Sequence, residues 1–232
     1  MTTASARVHR RLRCAWAILL AVLIVAIASP DAGAKVNKAD VAIQRQAVLR
    51  KSDLPAGWKS SPSEDSSPPE LPTCAGLRRV DDGLDPLATH SPEFWKSEVT
   101  RAENSVVVLA SVKEAKGWLA PYREPEATTC LGELVKVAFT DPSIQGVRVY
   151  VTPNEDTPRG ADDAVGFEVE ITATTVPTTQ QAAQSIVFIV DVLVARVGRA
   201  LTNFTFENPS NPLPEQGLLV DAVIGRLQQA GI

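Results

Sequence analysis

Cys74 and Cys130 are the residues of this sequence whose type and number point most directly to chemistry. In an oxidising compartment an isolated pair of cysteines reads as one disulfide. Closing a loop of about 56 residues would stabilise the fold by roughly 4 kcal/mol through lost loop entropy, less any strain. A catalytic thiol or a metal centre would need a histidine or another cysteine close by. Past residue 34 the one histidine is His90.

His90 stands beside Ser91 and a few residues from Asp85. A hydrolytic triad needs a base within hydrogen-bond reach of its nucleophile, which sequence neighbours rarely achieve. The chain has no Gly-x-Ser-x-Gly elbow, and a solvated or hydrogen-bonded loop histidine is the simpler account. Asp81-Asp82 and Asp162-Asp163 are acidic pairs without the spacing of a calcium loop, and read as solvated loop residues. Glu168 and Glu170 share a face of an expected strand, where they could flank a glycosidic bond or simply keep that face wet. Asp191 interrupts an apolar strand. A carboxylate buried there must be paired or neutralised, and Arg148, Arg196 or Arg199 is the expected partner. No metal site and no cofactor is expected from these residues, and the scattered Trp58, Trp95, Trp118, Tyr122 and Tyr150 suggest core anchors, not a stacking platform. The sequon Asn203-Phe204-Thr205 falls in an expected core strand, which disfavours glycosylation.

The compartment follows from the first 34 residues. Arg7, Arg10, Arg11 and Arg13 precede an apolar run from Cys14 to Ala28, and small residues follow up to Ala32-Gly33-Ala34. That order describes a secretory signal, with cleavage expected between Ala34 and Lys35, or alternatively after Ala28. The run of about 15 residues falls short of the roughly 20 that span a bilayer, so contact with a membrane would come only through an uncleaved N-terminal segment. Cys14 follows Arg13 and lacks the small and aliphatic residues of a lipobox. Residues 35–232 then form one domain carrying 19 basic and 26 acidic side chains, a net charge of −7. An acidic domain with no basic run repels phosphate backbones, so nucleic acid is not expected as a partner.

The elements that would position these groups can be read from periodicity. Helices are expected over 38–51, 113–119, 126–138 and 215–229. On the second-last of these, Cys130, Leu131, Leu134, Val135 and Ala138 form one stripe; on the last, Leu218, Leu219, Ala222, Val223 and Leu227 do. Strands are expected over 94–101, 105–112, 147–151, 165–171, 186–195 and 200–206, with a first hairpin turning at Ala102-Glu103-Asn104 and a later one at residues 196–199. Residues 60–72 and 81–92 read as loops, and 178–185 as a helical turn. The sum is an α+β domain: a mainly antiparallel, twisted sheet of about six strands, covered by helices and clamped by one disulfide.

Several short motifs, taken in order, resemble a known family. They are Asp53-Leu54-Pro55-Ala56-Gly57-Trp58, Cys74, Cys130-Leu131, Asp162-Asp163-Ala164-Val165-Gly166-Phe167, the stretch Asp191 to Ala200, and Phe204-Thr205-Phe206 before the last helix. Together they resemble the exported sensor-like domains of actinobacteria, which include the extracellular domain of certain Ser/Thr kinases and related lipoproteins. The resemblance implies a helix-covered antiparallel sheet close to the Mog1/PsbP-like arrangement and a cleft for an unidentified ligand. It carries over no catalytic residue. This chain has no kinase domain, no lipobox, and one candidate disulfide where those kinases look to have two. The expected function is an exported, non-enzymatic ligand-binding or sensor-like module that takes a small molecule or an envelope protein. The alternatives are a secreted hydrolase using carboxylates near Glu168 and Glu170, or a structural partner in an envelope assembly.

Overall fold

The computed structural model describes residues 37–61, 88–97, 99–138, 144–177, 182–209 and 213–232. The junction Ala34–Lys35, Cys74, Asp81, Asp82 and Asp85 lie outside them. The chain is α+β. Helix α1 (Lys38–Ala47) leads to β1 (Lys59–Ser61), β2 (Thr89–His90), β3 (Glu93–Ser97) and β4 (Thr100–Val108). Helices α2 (Val112–Leu119) and α3 (Pro125–Ala138) follow, joined by a 3-10 turn. Then come β5 (Ile144–Asn154), β6 (Asp163–Thr175), β7 (Ser185–Val197), β8 (Ala200–Asn208) and α4 (Gln216–Gln229). The sheet is antiparallel in the order β1-β3-β4-β8-β7-β6-β5, with β2 beside β4.

Local chemistry sets the helix starts. The Asn37 side chain caps α1 by accepting from the Ala39 N–H at 3.0 Å. Ser111 caps α2 through the Glu114 N–H at 3.1 Å, and the Glu114 carboxylate accepts from the Ala110 N–H at 3.0 Å. Pro125 opens α3, where its missing N–H costs nothing. The β7–β8 hairpin closes through the two residues Gly198-Arg199, with Gly198 at φ +55.

Two helical layers lie on opposite faces of the sheet, displaced diagonally. On the first face α2 and α3 cover β5, β6 and β7, setting Leu119, Leu131 and Val135 against Val169, Ile171 and Val190. On the second face α1, Trp58 and α4 cover β3, β4 and β8, where Leu219, Val223 and Leu227 meet Phe94, Phe204 and Phe206. The diagonal leaves two further quadrants of the sheet, and both carry polar side chains: Arg101, Glu103 and Glu207 on the first face, Tyr150, Glu168 and Asp191 on the second.

Several expectations are corrected. Among the described residues the sheet has eight strands where about six are expected; β1 and β2 are additional, and being three and two residues long they carry no readable alternation. The first hairpin pairs Ser97 with Thr100, and Ala102-Glu103-Asn104 lies inside β4. Tertiary burial overrides weak strand propensity there, since Ala102 and Asn104 are buried against the second-face helices. Residues 182–184 are irregular and Ser185 begins β7, so the helical turn expected there is not formed over these residues. On α4 the buried stripe is Leu219, Val220, Val223, Ile224 and Leu227, which turns Leu218 out to 70% exposure.

Arg226 of α4 bonds this helix to the N-terminal segment. It pairs with Asp53 at 2.8 Å and donates to the carbonyls of Ala47 and Val48. Burial would raise the Asp53 pKa, but the Arg226 hydrogen bond, the Arg50 N–H and both arginine charges outweigh it and hold it below its usual range. Arg226→Ala should therefore lower stability by about 2–3 kcal/mol. That corresponds to a thermal midpoint roughly 5–10 °C lower at pH 7 in a calorimetric scan. The difference should shrink as pH falls below the ordinary carboxylate range, because Asp53 then carries its proton in both states.

Candidate functional site

The polar quadrant of the first face is built by strand alternation. On β4, Arg101, Glu103 and Ser105 point away from Ala102, Asn104 and Val106. On β8, Asn203, Thr205 and Glu207 likewise oppose Phe204 and Phe206. The register then lays them in rows. His90, Ser105 and Asn203 form one, Glu103 lies across from Thr205 in the next, and Trp95, Arg101 and Glu207 form the third. On β3, Glu93 stands one position before Phe94, which pairs with Ala102, so its neighbour on this face is Glu103.

Three carboxyls thus surround one guanidinium. Arg101 donates through Nη1 to Glu93, and its Nε lies 3.5 Å from Glu207 Oε2 without hydrogen-bond geometry. The quadrant is closed to solvent at its centre, with Thr205 and Glu207 at 3% exposure and Asn203 at 8%. Burial is the first cause that pushes the Glu103 carboxyl up to about 8, and the Glu93 charge adds to it, against Arg101. Burial also pushes Glu207 up to about 8; Arg101 opposes the shift, and Glu103 and Glu93 add to it. Three buried atoms here lack a hydrogen-bond partner: Glu207 Oε1, Asn203 Oδ1 and Arg101 Nε. Unpaired polar atoms in a sealed site cost about 1–3 kcal/mol each and require an account.

The residues singled out from sequence are placed differently. His90 is half-buried on β2, level with Ser105, at the margin of this quadrant. Ser91 is not its nucleophile: its hydroxyl accepts from the Asn104 N–H at 3.1 Å and donates to the Pro92 carbonyl at 2.9 Å. Asp162 and Asp163 are not merely solvated. Asp162 pairs with Arg196 at 3.0 Å and accepts from the Gly198 N–H at 2.7 Å, and Asp163 pairs with Arg123. Cys130 is half-buried on α3 against the first-face core. Asn203, the sequon residue, is buried, as its strand position implied.

Glu168 and Glu170 do share one face of β6, on the second polar quadrant, with Tyr150 59% exposed across from Glu170. Asp191 lies directly across from Glu168 on β7. The expected arginine partner is corrected. Arg196 is five residues along β7 and so points to the opposite face, where it meets Asp162; Arg199, in the hairpin loop, pairs with Asp40; Arg148 sits across from Thr172, four residues from Glu168 along β6. Among the described residues Asp191 has no ion-pair partner. Burial, and then the Glu168 charge, push it up to about 6.

The Glu93–Arg101–Glu103–Glu207 cluster was not read from the sequence. A turn expected at residues 102–104 leaves Glu103 outside any strand, and a strand expected to end at Phe206 leaves out Glu207. The available signal was the alternation of Arg101, Glu103 and Ser105 with Ala102, Asn104 and Val106. Among the described residues, no group of three or more His, Cys, Asp or Glu is arranged to hold a metal ion, and no helix is long and apolar enough to cross a membrane. No protein-family model, no curated protein and no solved structure matches the chain.

The raised carboxyls have a signed consequence. Glu103 and Glu207 keep their protons in the folded chain at pH values where the unfolded chain, near 4.5, has lost them. Their contribution to stability is complete at low pH and is lost as pH rises through about 8. Glu103→Gln, which fixes a neutral side chain, should raise stability on the order of 2 kcal/mol at pH 9 and little at pH 4. Urea unfolding at the two pH values measures this, and equal shifts at both would contradict it. Asp191→Asn should likewise stabilise above pH 6, by about 1 kcal/mol after allowance for its partial exposure. A drop would indicate an unseen cationic partner.

Proposed function

We propose that this protein is an exported, non-enzymatic ligand-binding or sensor-like module of the cell envelope, akin to the actinobacterial sensor-like domains it resembles. The first 34 residues act as a secretory signal cleaved at Ala34–Lys35, and Cys74 and Cys130 are joined as a disulfide in the oxidising exterior. One observation carries the reading: acceptor atoms of Glu207 and Asn203 are sealed on a sheet face without partners. Native folds rarely leave such atoms unused, and a bound molecule would satisfy them. The strands beneath are hydrogen-bonded on both sides, so the acceptors are preorganised and little ordering entropy opposes capture.

A second reading, a hydrolase using carboxylates near Glu168 and Glu170, has one observation in its favour. Asp191 faces Glu168 across two strands, and a carboxyl raised to about 6 beside another carboxyl is the environment of a proton donor. Its surroundings are open, however, with Tyr150 and Val187 at 59% and 43% exposure, whereas acid–base chemistry gains from exclusion of water.

Native mass spectrometry of the protein purified from its own host tests the main reading. The expected species begins at Lys35, is two hydrogens lighter than the reduced chain, and carries a small molecule. A chain retaining Trp16, or two thiols open to alkylation without reductant, would refute export processing or the disulfide respectively. An empty chain, or one bound stoichiometrically to another protein, would overturn small-molecule binding, the latter in favour of envelope assembly.

A further inference from the structure

The sheet ends in two unlike edges. At one lies β1, three residues long and carrying Lys59, and short charged edges resist further pairing. At the other lies β5, 11 residues long, whose outer side has no strand partner among the described residues. The phase of the ladder tells which of its backbone groups point outward. The Thr175 N–H donates to the Gln184 carbonyl at 2.9 Å, and these two residues continue the β6–β7 register by one step. Counting back in twos, Ala173, Ile171 and Val169 of β6 therefore bond to β7, which leaves Thr172, Glu170 and Glu168 to bond to β5. Their partners on β5 are Arg148, Tyr150 and Thr152, so Val147, Val149 and Val151 direct both N–H and C=O away from the sheet. Pro153 falls in the same outward phase, where its missing N–H costs no bond to β6. At the other end the register shifts between Ile144 and Gly146. The run Val147–Val151 is thus a row of outward donors and acceptors bracketed by an irregularity and a proline.

We infer that two copies of this chain pair antiparallel along Val147–Val151 of β5, joining their sheets across a two-fold axis at Val149. The inference goes beyond the ligand-binding reading and does not depend on it. With that centre Val149 bonds to Val149 of the second copy, and Val147 bonds to Val151 of the second copy, so every outward N–H of the run is used. Moving the centre to Arg148 would set two guanidiniums directly opposite each other, and moving it to Tyr150 would set Val147 against Pro153, which has no N–H to give. The side chains fit the same register. On the first face Val147, Val149 and Val151 are the half-buried margin of the core beneath α3, where a Cβ on Gly132 would lie 3.7 Å from Val151 Cγ2. Pairing sets valine against valine and covers that margin. On the second face Arg148 comes to lie across from the exposed Tyr150 of the second copy, with Glu170 of the second copy next in the row. Arg148 is the basic residue of a quadrant whose other charged groups are Glu168, Glu170 and Asp191, so each copy offers its cation to the acidic patch of the other. A two-fold axis satisfies both arginines at once, which favours a second copy over an unrelated strand. The run is short, at the low end of interface sizes, so the pair forms and separates with concentration.

The test is sedimentation velocity of the exported full chain from about 5 to 500 μM, with backbone amide exchange followed over the same range. The sedimentation coefficient should rise from that of a monomer to that of a dimer and no further, because one edge per copy closes the pair. The amides of Val147, Val149 and Val151 should slow at least about threefold across the range, whereas those of Arg148 and Tyr150, already bonded to β6, should not change. Val149→Pro removes an outward N–H and leaves the bonds to β6 in place, so it should sediment as a monomer throughout. Arg148→Glu sets like charges beside Glu170 of the second copy and should weaken association at least about fivefold at low salt. A monomer at the highest concentration, a dimer whose valine amides exchange no more slowly, or undiminished association in either variant would overturn the assignment. If Val149→Pro does not fold, the amide pattern of the unsubstituted chain and the exposed Arg148→Glu decide between them. Valine amides that slow only when a different envelope protein is added would equally overturn pairing with a second copy.

Discussion

Asn104 fixes the register on which the rest of the molecule depends. Its Oδ1 accepts from the Leu49 N–H at 3.1 Å, and its Nδ2 donates to Thr202 Oγ1 at 2.7 Å and to the Asn203 carbonyl at 3.0 Å. One buried side chain thereby ties the exit of α1, the middle of β4 and the middle of β8. A slip of one residue would turn Asn104 to the first face and Glu103 into the aromatic core of the second. The cost of burying an unpaired carboxyl among Phe94, Phe204 and Phe206 makes that alternative inaccessible. Placement of the acidic quadrant is thus a by-product of a structural amide on the other side of the same strand.

The diagonal layering explains how a single sheet carries both a core and a polar site. Each helical layer buries one apolar quadrant, and their combined burial is the main stabilising term. The other two quadrants are not needed for that burial, so their side chains can be chosen for other chemistry. They differ in exposure: Tyr150, Glu170 and Val187 are open, whereas Thr205, Asn203 and Glu207 are closed. Closure is what gives the first-face quadrant its electrostatic weight, because the same charges in bulk water would be screened.

Sequence legibility followed burial pattern. β5 and β6 alternate in sequence, and Val165, Phe167, Val169 and Ile171, between the polar residues of β6, lie on its core face. α3 and α4 were legible from their apolar stripes, except that Leu218 sits just off the buried arc. β4 is not legible as one strand because Ala102, Glu103 and Asn104 are poor strand formers held extended by contacts from distant segments, Leu49 and Thr202 among them. Asp191 is legible as a misfit in an apolar strand, but its neighbour depends on register, which places Glu168 and not an arginine across from it. The candidate site needed three registers at once, β3 on β4, β4 on β8 and β8 on β7. No local pattern encodes those.

The acidity of the quadrant is not a consequence of an acidic chain. Elsewhere among the described residues the buried or partly buried Arg226, Arg199 and Arg196 are matched one to one with Asp53, Asp40 and Asp162, and the exposed Arg123 with Asp163. Those pairs join separate elements and leave no surplus charge, as structural ion pairs must when water is scarce. Arg101 alone faces three carboxyls, all of them glutamates, one chain position from residues whose packing is complete. The fold neutralises its other partly buried arginines with a carboxylate each, and here the excess carboxyls are neutralised by protonation. The imbalance is local to β3, β4 and β8, and at neutral pH it is met by protons held on Glu103 and Glu207, whose carboxyls are pushed up to about 8.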